Sequence, residues 1–315
     1  MIANAMLTLT PEASLNRLPV TLPGEPTRPA RHWVSTQALH GLMLDEDPGD
    51  ERSVRQFLRT FDARNPQDEC ILTRYANRLM TVLKTALRAD YWAQGSPFQQ
   101  GYAHCWRQCQ RLVLGGGLSS DAFGRALMAA LTGGLDGREL ALSPYGGQTG
   151  LVGLATLWSQ PSPLLVMDFG ATGIKRGLVD ERGKLQSLPE LNVDHWLNDD
   201  GLFRADAFQA VLHDSRMAVG TALPTAISLA CYMKDGQPYD YRSGVYHRLI
   251  DDSPHLAHSL DQQWLPKAGL GRLVSLMHDS SAAALAFPSP VPAIMVTLGT
   301  GLGVGLCPLD DPTVA

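Results

Sequence analysis

The sequence predicts an α/β protein built from two domains. Its 315 residues are more than one ordinary hydrophobic core holds, and this length favours about two domains. Two short apolar segments, within residues 164–184 and 293–306, are each followed by a glycine-bearing turn and a second apolar segment. Elsewhere, strand-like segments lead into segments whose apolar residues recur every three or four positions, as in helices.

The composition excludes several classes of protein. Hydrophobic residues make up 44% and charged residues 18%, which is enough apolar material for a folded core. The net charge is -5 and Lys and Arg form no dense run, so nucleic acid is not expected as a partner. The longest apolar runs are shorter than the ~18 residues that a membrane-spanning helix needs, so no membrane partner is expected.

The cysteines and the N-terminal residues bear on location. The cysteines are odd in number and scattered, which favours reduced thiols and a cytoplasmic location. Residues 1–30 lack a basic start followed by an apolar stretch, and prolines interrupt them repeatedly. We expect an extended leader there, without an export or anchoring role.

Local patterns predict the remaining elements. Serines and prolines at residues 159–163 indicate a domain boundary, because they interrupt regular structure. In chain order, we expect helices within 51–87, a strand at 111–114, a glycine turn at 115–117, a capped helix at 123–131, a β-hairpin at 164–179, a strand at 274–277 and a helix at 280–287.

The first glycine hairpin has the residue types of a phosphate and magnesium site. Asp168 closes a buried strand, and Gly170 and Thr172 follow in the turn. An acidic side chain there can hold a hydrated divalent cation, while the Thr hydroxyl and backbone N–H groups receive phosphate oxygens. We therefore predict that Asp168 binds Mg²⁺ through water and that Gly170 and Thr172 contact a nucleotide.

The second hairpin offers similar chemistry. Its turn contains Gly299, Thr300 and Gly301, whose amides can converge on phosphate oxygens. Asp279 lies at another strand end and is suited to accept a hydroxyl proton during attack on the γ phosphate, as a general base. Structural explanations also exist, since Asp168 and Asp279 could be helix caps or turn formers and the glycines could only supply positive φ.

These motifs resemble those of the ROK family (repressor, open reading frame, kinase) of bacterial sugar kinases, in the actin-like ATPase superfamily. The run Asp168-x-Gly170-x-Thr172-x-x-Lys175 is similar to the family's first phosphate motif. Residues 276–285 resemble its catalytic segment, in which the Asp is the base, and residues 298–303 resemble its second phosphate motif. Residues 113–119, which include Gly115, Gly116 and Gly117, together with residues 150–155, resemble the family's adenosine motif.

The resemblance implies two ribonuclease-H-like lobes with a nucleotide cleft between them. In the family the adenosine motif comes last, whereas here it precedes the first phosphate motif, so the motif order implies a circular permutation. Permutation at exposed loops leaves packed contacts unchanged. Residues 31–158, completed by 291–315, then form the adenosine-binding lobe, and residues 163–290 form the phosphate and substrate lobe.

The residues beside Asp279 depart from the family pattern. The family has an Asn-Asp-Ala-Asn segment, whereas the positions around Asp279 are His278, Ser280 and Ser281, so the asparagines that contact sugar are absent. His278 and Ser281 are our candidate substrate contacts, but His278 could instead tune Asp279 or satisfy a backbone carbonyl. The family's Cys-x-Cys-Gly zinc cluster is absent from the sequence, so no zinc site is expected. Lys175 is expected on a solvated face.

The resemblance implies phosphorylation of a sugar-like small molecule by ATP with Mg²⁺, that is, a carbohydrate kinase. Two alternatives remain: a regulator that binds sugar or nucleotide without catalysis, and an actin-like ATPase with water as acceptor. ATP turnover that needs no sugar would favour the ATPase. The residues do not determine which sugar is used, and they leave a homodimer open.

Overall fold

The computed structural model describes residues 10–234, 237–239 and 244–310. Its α-helices are α1 (Ala30–Trp33), α2 (Thr36–Glu46), α3 (Val54–Thr60), α4 (Pro66–Arg88), α5 (Asp90–Ala93), α6 (Pro97–Gln108), α7 (Asp121–Leu131), α8 (Thr149–Ala155), α9 (Ala205–Val219), α10 (Leu249–Asp252), α11 (Leu256–Ser259), α12 (Leu265–Lys267) and α13 (Asp279–Leu285). Of the helices in these described ranges, none combines the length and apolar character that crossing a membrane requires.

The strands of the described residues are β1 (Pro19–Val20), β2 (Arg28–Pro29), β3 (Arg111–Gly115), β4 (Glu139–Leu142), β5 (Leu164–Phe169), β6 (Gly173–Val179), β7 (Leu185–Asn192), β8 (Thr225–Leu229), β9 (Met233–Lys234), β10 (Gln237–Pro238), β11 (Leu273–His278), β12 (Ala293–Leu298) and β13 (Leu302–Leu306). Short 3₁₀ helices occupy Pro11–Ala13, Leu15–Arg17, Gly117–Ser119, Gly146–Gln148 and Val193–Trp196, and Leu260–Trp264 is π-helical. The prediction of a mixed α/β protein is confirmed.

Local sequence signals explain where the helices predicted within residues 51–87 begin. Ser53 caps α3, and the side chain of Gln56 bonds back to the Ser53 backbone, which completes a capping box. Asn65 caps α4, and Pro66 follows at the first helical position, where its missing N–H costs nothing. Both helices are where the apolar periodicity predicts them.

The chain divides into two compact units, whose boundaries differ from those predicted. Of the described residues, the first unit contains 10–11 and those within 150–286, and the second contains 12–149 and 287–310. The predicted boundary at 159–163 therefore lies about one helix too late. The reason is packing, because α8 places Leu151 and Leu154 in one hydrophobic cluster with Val166 and Ala282 of the first unit.

The first unit is built on the larger sheet. Among the described residues this sheet has five strands in the order β11-β8-β5-β6-β7. Strands β5, β6 and β7 form an antiparallel meander, whereas β5, β8 and β11 run parallel to one another. The predicted hairpin is confirmed as β5 and β6, and its register places Asp168 directly opposite Lys175.

Alternation along β5 decides which side chain faces which layer. Leu165, Met167 and Phe169 join the cluster that contains Phe208 of α9, while Leu164 and Val166 join the cluster that contains Leu154 of α8. Because side chains alternate along a strand, Asp168 belongs to the face that carries Leu164 and Val166. Helix α8 accordingly lies close to this carboxylate, since a Cβ added at Gly150 would be 3.0 Å from Asp168 Oδ2.

The second unit contains a smaller sheet, in the order β13-β12-β3-β4 over the residues described. Strand β12 pairs antiparallel with β13 and parallel with β3, which pairs parallel with β4. The apolar faces of α4 and α7 pack into the same core as these strands, through residues such as Leu79, Phe123 and Val296. The predicted strand, glycine turn and strand at 293–306 is confirmed as β12 and β13.

The prediction of an extended leader over residues 1–30 differs from the structure between Pro11 and Pro29. This segment forms two 3₁₀ helices and a short β-ribbon, and it buries Leu15, Leu18 and Val20 in the core of the second unit. The Asn16 side chain also pairs with β13, because its Oδ1 accepts from Leu302 N at 2.7 Å and its Nδ2 donates to Leu302 O at 2.8 Å. Residues 1–9 lie outside the described residues.

Asn16 should matter for stability because one amide satisfies both backbone groups of Leu302. We expect Asn16→Ala to lower the free energy of unfolding by about 1–3 kcal/mol, the usual cost of leaving such groups without a partner. Chemical denaturation would measure the change. Asn77→Ala, on the exposed face of α4, is the control and should change stability by less than about 0.5 kcal/mol. An equal effect of the two substitutions would contradict the role of Asn16.

Candidate active site

Asp168 is held in place by both neighbouring strands. It is 6% exposed, and its Oδ1 accepts a hydrogen bond from Ser228 Oγ at 2.8 Å. Its Oδ2 lies 3.4 Å from Lys175 Nζ. The strand register explains both contacts, because Asp168 is directly opposite Ser228 on β8 and Lys175 on β6. Two partners in fixed positions orient the carboxylate.

Lys175 has an environment different from the predicted one. The prediction put it on a solvated face, but its side chain is 28% exposed and forms an ion pair with Asp168. The charge of Asp168 raises the pKa of Lys175, against the effect of burial. Burial raises the pKa of Asp168, and the charge of Lys175 opposes that shift. Lys175 therefore helps to keep a buried carboxylate ionised.

Asp279 lies at the same sheet edge as Asp168. It directly follows β11, and Asp168 is the last residue but one of β5. Because β5, β8 and β11 are parallel, their carboxyl ends meet at one edge, with β5 and β11 about 10 Å apart across β8. The negative charge of Asp279 is among the causes that raise the pKa of Asp168. The two predicted aspartates thus share one electrostatic environment.

Hydrogen bonds to one oxygen orient Asp279. Its Oδ1 accepts from Ser280 N at 2.6 Å and from Ser280 Oγ at 3.1 Å, and it lies 3.2 Å from His278 Nε2. The Asp279 side chain is 31% exposed, whereas His278 is buried. His278 also caps α13, because its Nδ1 accepts from Ser280 N at 3.2 Å. The predicted substrate residue Ser281 is half-buried in the first turn of the same helix.

The turn at Gly170 has a structural explanation of its own. Gly170 N donates to Asp168 O and to Gly173 O, and a Cβ at Gly170 would be 2.9 Å from Gly173 O. Tyr246, which no sequence motif indicated, is buried and donates from its hydroxyl to Gly170 O at 2.8 Å. Thr172 is exposed on this turn. Glycine is therefore needed here for the turn itself, whatever the turn binds.

The two remaining glycine turns lie next to each other in the second unit. Gly116 has φ +90°, and a Cβ there would be 2.5 Å from Leu298 O, directly before the turn of Gly299, Thr300 and Gly301. Gly115 ends β3, and a Cβ at Gly117 would meet nothing within 4 Å.

The neighbouring N-terminal residues support the turn at 299–301. Thr36 N donates to Gly299 O at 2.8 Å, and Asn16 Oδ1 would be 2.9 Å from a Cβ at Gly301. Gly299 N donates to Gly301 O, which closes the turn, and Thr300 is exposed. The two parts of the predicted adenosine motif belong to different units, because residues 113–119 are in the second unit and residues 150–155 are in the first.

The side chains around Asp168 bear on the predicted metal site. Among the residues that the structure describes, no three His, Cys, Asp or Glu side chains group closely enough to hold a metal ion by themselves. Mg²⁺ usually keeps several waters and needs only one or two carboxylates together with substrate phosphates. A buried carboxylate oriented by Ser228 and Lys175 fits such a water-mediated contact at Asp168 and does not fit a dedicated protein cage.

His278 should make stability depend on pH. Burial lowers the pKa of His278 from its ordinary value of 6.5, and the charges of Asp279 and Asp168 act in the opposite sense. Below pH 6.5 the unfolded chain therefore takes up a proton that the folded chain does not, so the free energy of unfolding falls as pH falls, by at most about 1.4 kcal/mol per pH unit. Above that pH the contribution is fully present.

The measurement is chemical denaturation at pH 7 and pH 5 of the wild type and of His278→Asn, which keeps an acceptor for Ser280 N. We expect the variant to lose less stability than the wild type between these two pH values. His213→Asn, on the exposed face of α9, is the control and should follow the wild type. Identical pH dependence in the wild type and His278→Asn would contradict a buried neutral imidazole.

The comparisons with known proteins add no assignment to this geometry. The chain matches no protein-family model, and it shows no significant similarity to curated proteins.

Proposed function

We propose that the chain is an ATP-dependent kinase that phosphorylates a hydroxyl of a sugar-like small molecule. The observation that carries the proposal is the sheet edge of the first unit, which bears the Asp168–Lys175 ion pair and Asp279 at the ends of parallel strands. Phosphoryl transfer needs a positioned base and fixed charges near the transferred group. Both kinds of group are present at this edge.

The strand topology supports a ribonuclease-H-like fold for the first unit. An antiparallel meander of three strands, followed by two strands parallel to the first of them, gives the spatial order β7-β6-β5-β8-β11. In the second unit the hairpin β12–β13 extends a sheet whose parallel strands β3 and β4 come much earlier in the chain. That order of elements supports the proposed circular permutation.

The mechanism assigns one role to each side chain. Asp279 accepts the proton of the substrate hydroxyl while that oxygen attacks the γ phosphorus, the bond from phosphorus to the leaving oxygen of ADP breaks, and the products are ADP and a phosphate ester. A water-coordinated Mg²⁺ at Asp168 would supply positive charge to the phosphates. Lys175 keeps Asp168 ionised, and Ser228 fixes the orientation of that carboxylate.

The adjacent glycine turns of the second unit support its part in the proposal. Residues 115–117 and 299–301 meet at the carboxyl ends of the parallel strands β3 and β12. Backbone N–H groups of glycine turns are suited to phosphate oxygens, because glycine has no Cβ to keep a phosphate away. We assign both turns to nucleotide binding.

A coupled assay of ADP release tests the proposal. The full chain with Mg·ATP is offered hexoses, amino sugars and pentoses, and we expect ADP release that requires one of these classes and stops when EDTA removes the metal. Equal release with and without sugar would instead identify an ATPase that uses water. Absence of ADP release under every condition, with ATP still bound, would favour the non-catalytic regulator and overturn the kinase proposal.

A further inference from the structure

The side chain of Tyr246 is fixed against the turn that joins β5 to β6. Tyr246 is buried, and the centroid of its ring lies 5.1 Å from that of Phe203 and 6.1 Å from that of Phe169. Its hydroxyl donates to Gly170 O at 2.8 Å. The packing of the ring therefore determines where the hydroxyl lies, and the hydroxyl determines where the carbonyl of Gly170 points.

The direction of this carbonyl determines the direction of the next amide. The peptide bond from Gly170 to Ala171 is trans, because the described residues contain no cis peptide bond. In a trans peptide the C=O of one residue and the N–H of the next point in opposite directions. The Gly170 carbonyl points to the buried Tyr246, so the N–H of Ala171 points away from it, and Ala171 is exposed.

The surroundings of this amide suit an anion. Gly170 N donates to Asp168 O and to Gly173 O, so the N–H of Gly170 is already used within the turn. Lys175 Nζ would be 3.9 Å from a Cβ at Gly170, which places a positive charge near the same turn. An outward N–H group close to an ammonium group is suited to a phosphate oxygen.

We infer that Tyr246 is a positioning residue, which fixes the Gly170 carbonyl so that the N–H of Ala171 donates to a phosphate oxygen of the nucleotide. This inference rests on the proposed kinase function, and it moves the nucleotide contact predicted for Gly170 to the neighbouring amide. Glycine permits many backbone angles, so the peptide unit that follows Gly170 needs an outside partner to hold it. The Tyr246 hydroxyl is that partner.

Tyr246→Phe removes the hydroxyl and keeps the ring. Calorimetric titration of the full chain with Mg·ATP measures the affinity, and we expect this variant to raise Kd about 10-fold, on the order of one hydrogen bond to a charged group. Tyr75→Phe is the matched control, because the Tyr75 hydroxyl is buried in the second unit and has no hydrogen-bond partner among the described residues. The control should bind Mg·ATP as the wild type does.

Amide NMR measures the phosphate contact itself. In the full chain labelled with ¹⁵N-alanine, the Ala171 signal is the one missing from Ala171→Gly. We expect saturating Mg·ATP to move this amide proton downfield in the wild type, and to move it much less in Tyr246→Phe. A loss of affinity caused only by a loosened fold would instead leave the shift of the bound Ala171 amide unchanged.

Each remaining outcome decides the inference. An unchanged Kd in Tyr246→Phe would overturn it, and so would a wild-type Ala171 amide that does not respond to Mg·ATP, a result that needs no folded variant. If the wild type binds Mg·ATP but releases no ADP with any sugar, the kinase proposal fails while both measurements still test Tyr246. A wild type that does not bind Mg·ATP would overturn both proposals.

Discussion

Asp279→Asn should lower phosphoryl transfer by at least about 100-fold, within the 10²–10⁴ that general-base catalysis contributes. The Asn side chain keeps an oxygen that can accept from Ser280 N and Ser280 Oγ, so the local structure should survive. The substitution removes the carboxylate oxygen that accepts the proton of the substrate hydroxyl. The expected variant is folded, binds ATP and is nearly inactive.

Initial rates of ADP release and calorimetric titration of ATP measure the two quantities separately. Asp206→Asn is a matched control, because Asp206 is exposed in the first turn of α9 in the same unit. The control should keep wild-type turnover. Full activity in Asp279→Asn would remove Asp279 from the base role, and loss of ATP affinity without a change in kcat would assign it to nucleotide binding instead.

The sequence predicts the two aspartates for a clear physical reason. Each follows a short run of apolar residues, and that pattern is typical of a buried strand whose end reaches the surface. Strands separated by helices are usually parallel, so their carboxyl ends meet at one edge. The structure agrees, since Asp168 and Asp279 lie at the same edge although they are far apart in the sequence.

Lys175 shows what local patterns miss. It follows the turn by a few residues, and polar positions on a hairpin are usually solvated. Its true environment depends on the register, which places it directly opposite Asp168. Four residues, from Gly170 to Gly173, lie between the paired residues Phe169 and Ile174, and this loop length places Asp168 opposite Lys175.

The N-terminal segment and α8 depend on contacts that no local pattern contains. Asn16 and Leu302 are 286 residues apart, and only the folded chain brings the amide to the edge strand. Prolines in the segment favour an extended chain locally, but burial of Leu15, Leu18 and Val20 outweighs that preference. Tertiary packing likewise assigns α8 to the first unit, across a proline-rich stretch that resembles a linker.

Gly153→Ala should lower the free energy of unfolding by about 3 kcal/mol, at the upper end of the usual cost of overpacking. A Cβ at Gly153 would be 1.7 Å from Ala282 O and 2.8 Å from Ala282 C, both of which are backbone atoms. Rotation of a side chain cannot relieve that contact, so α8 and α13 must move apart. Since α13 begins at Asp279, we also expect lower turnover from whatever fraction folds.

The same substitution elsewhere provides the control. Gly101 lies inside α6, where a Cβ would meet nothing within 4 Å, so Gly101→Ala should gain about 1 kcal/mol from helix propensity alone. Chemical denaturation of both variants compares identical chemistry in two helices, and the changes should have opposite signs. Stabilisation by Gly153→Ala would mean that α8 does not pack closely on α13. It would also contradict the expectation that this helix pair helps to position Asp279.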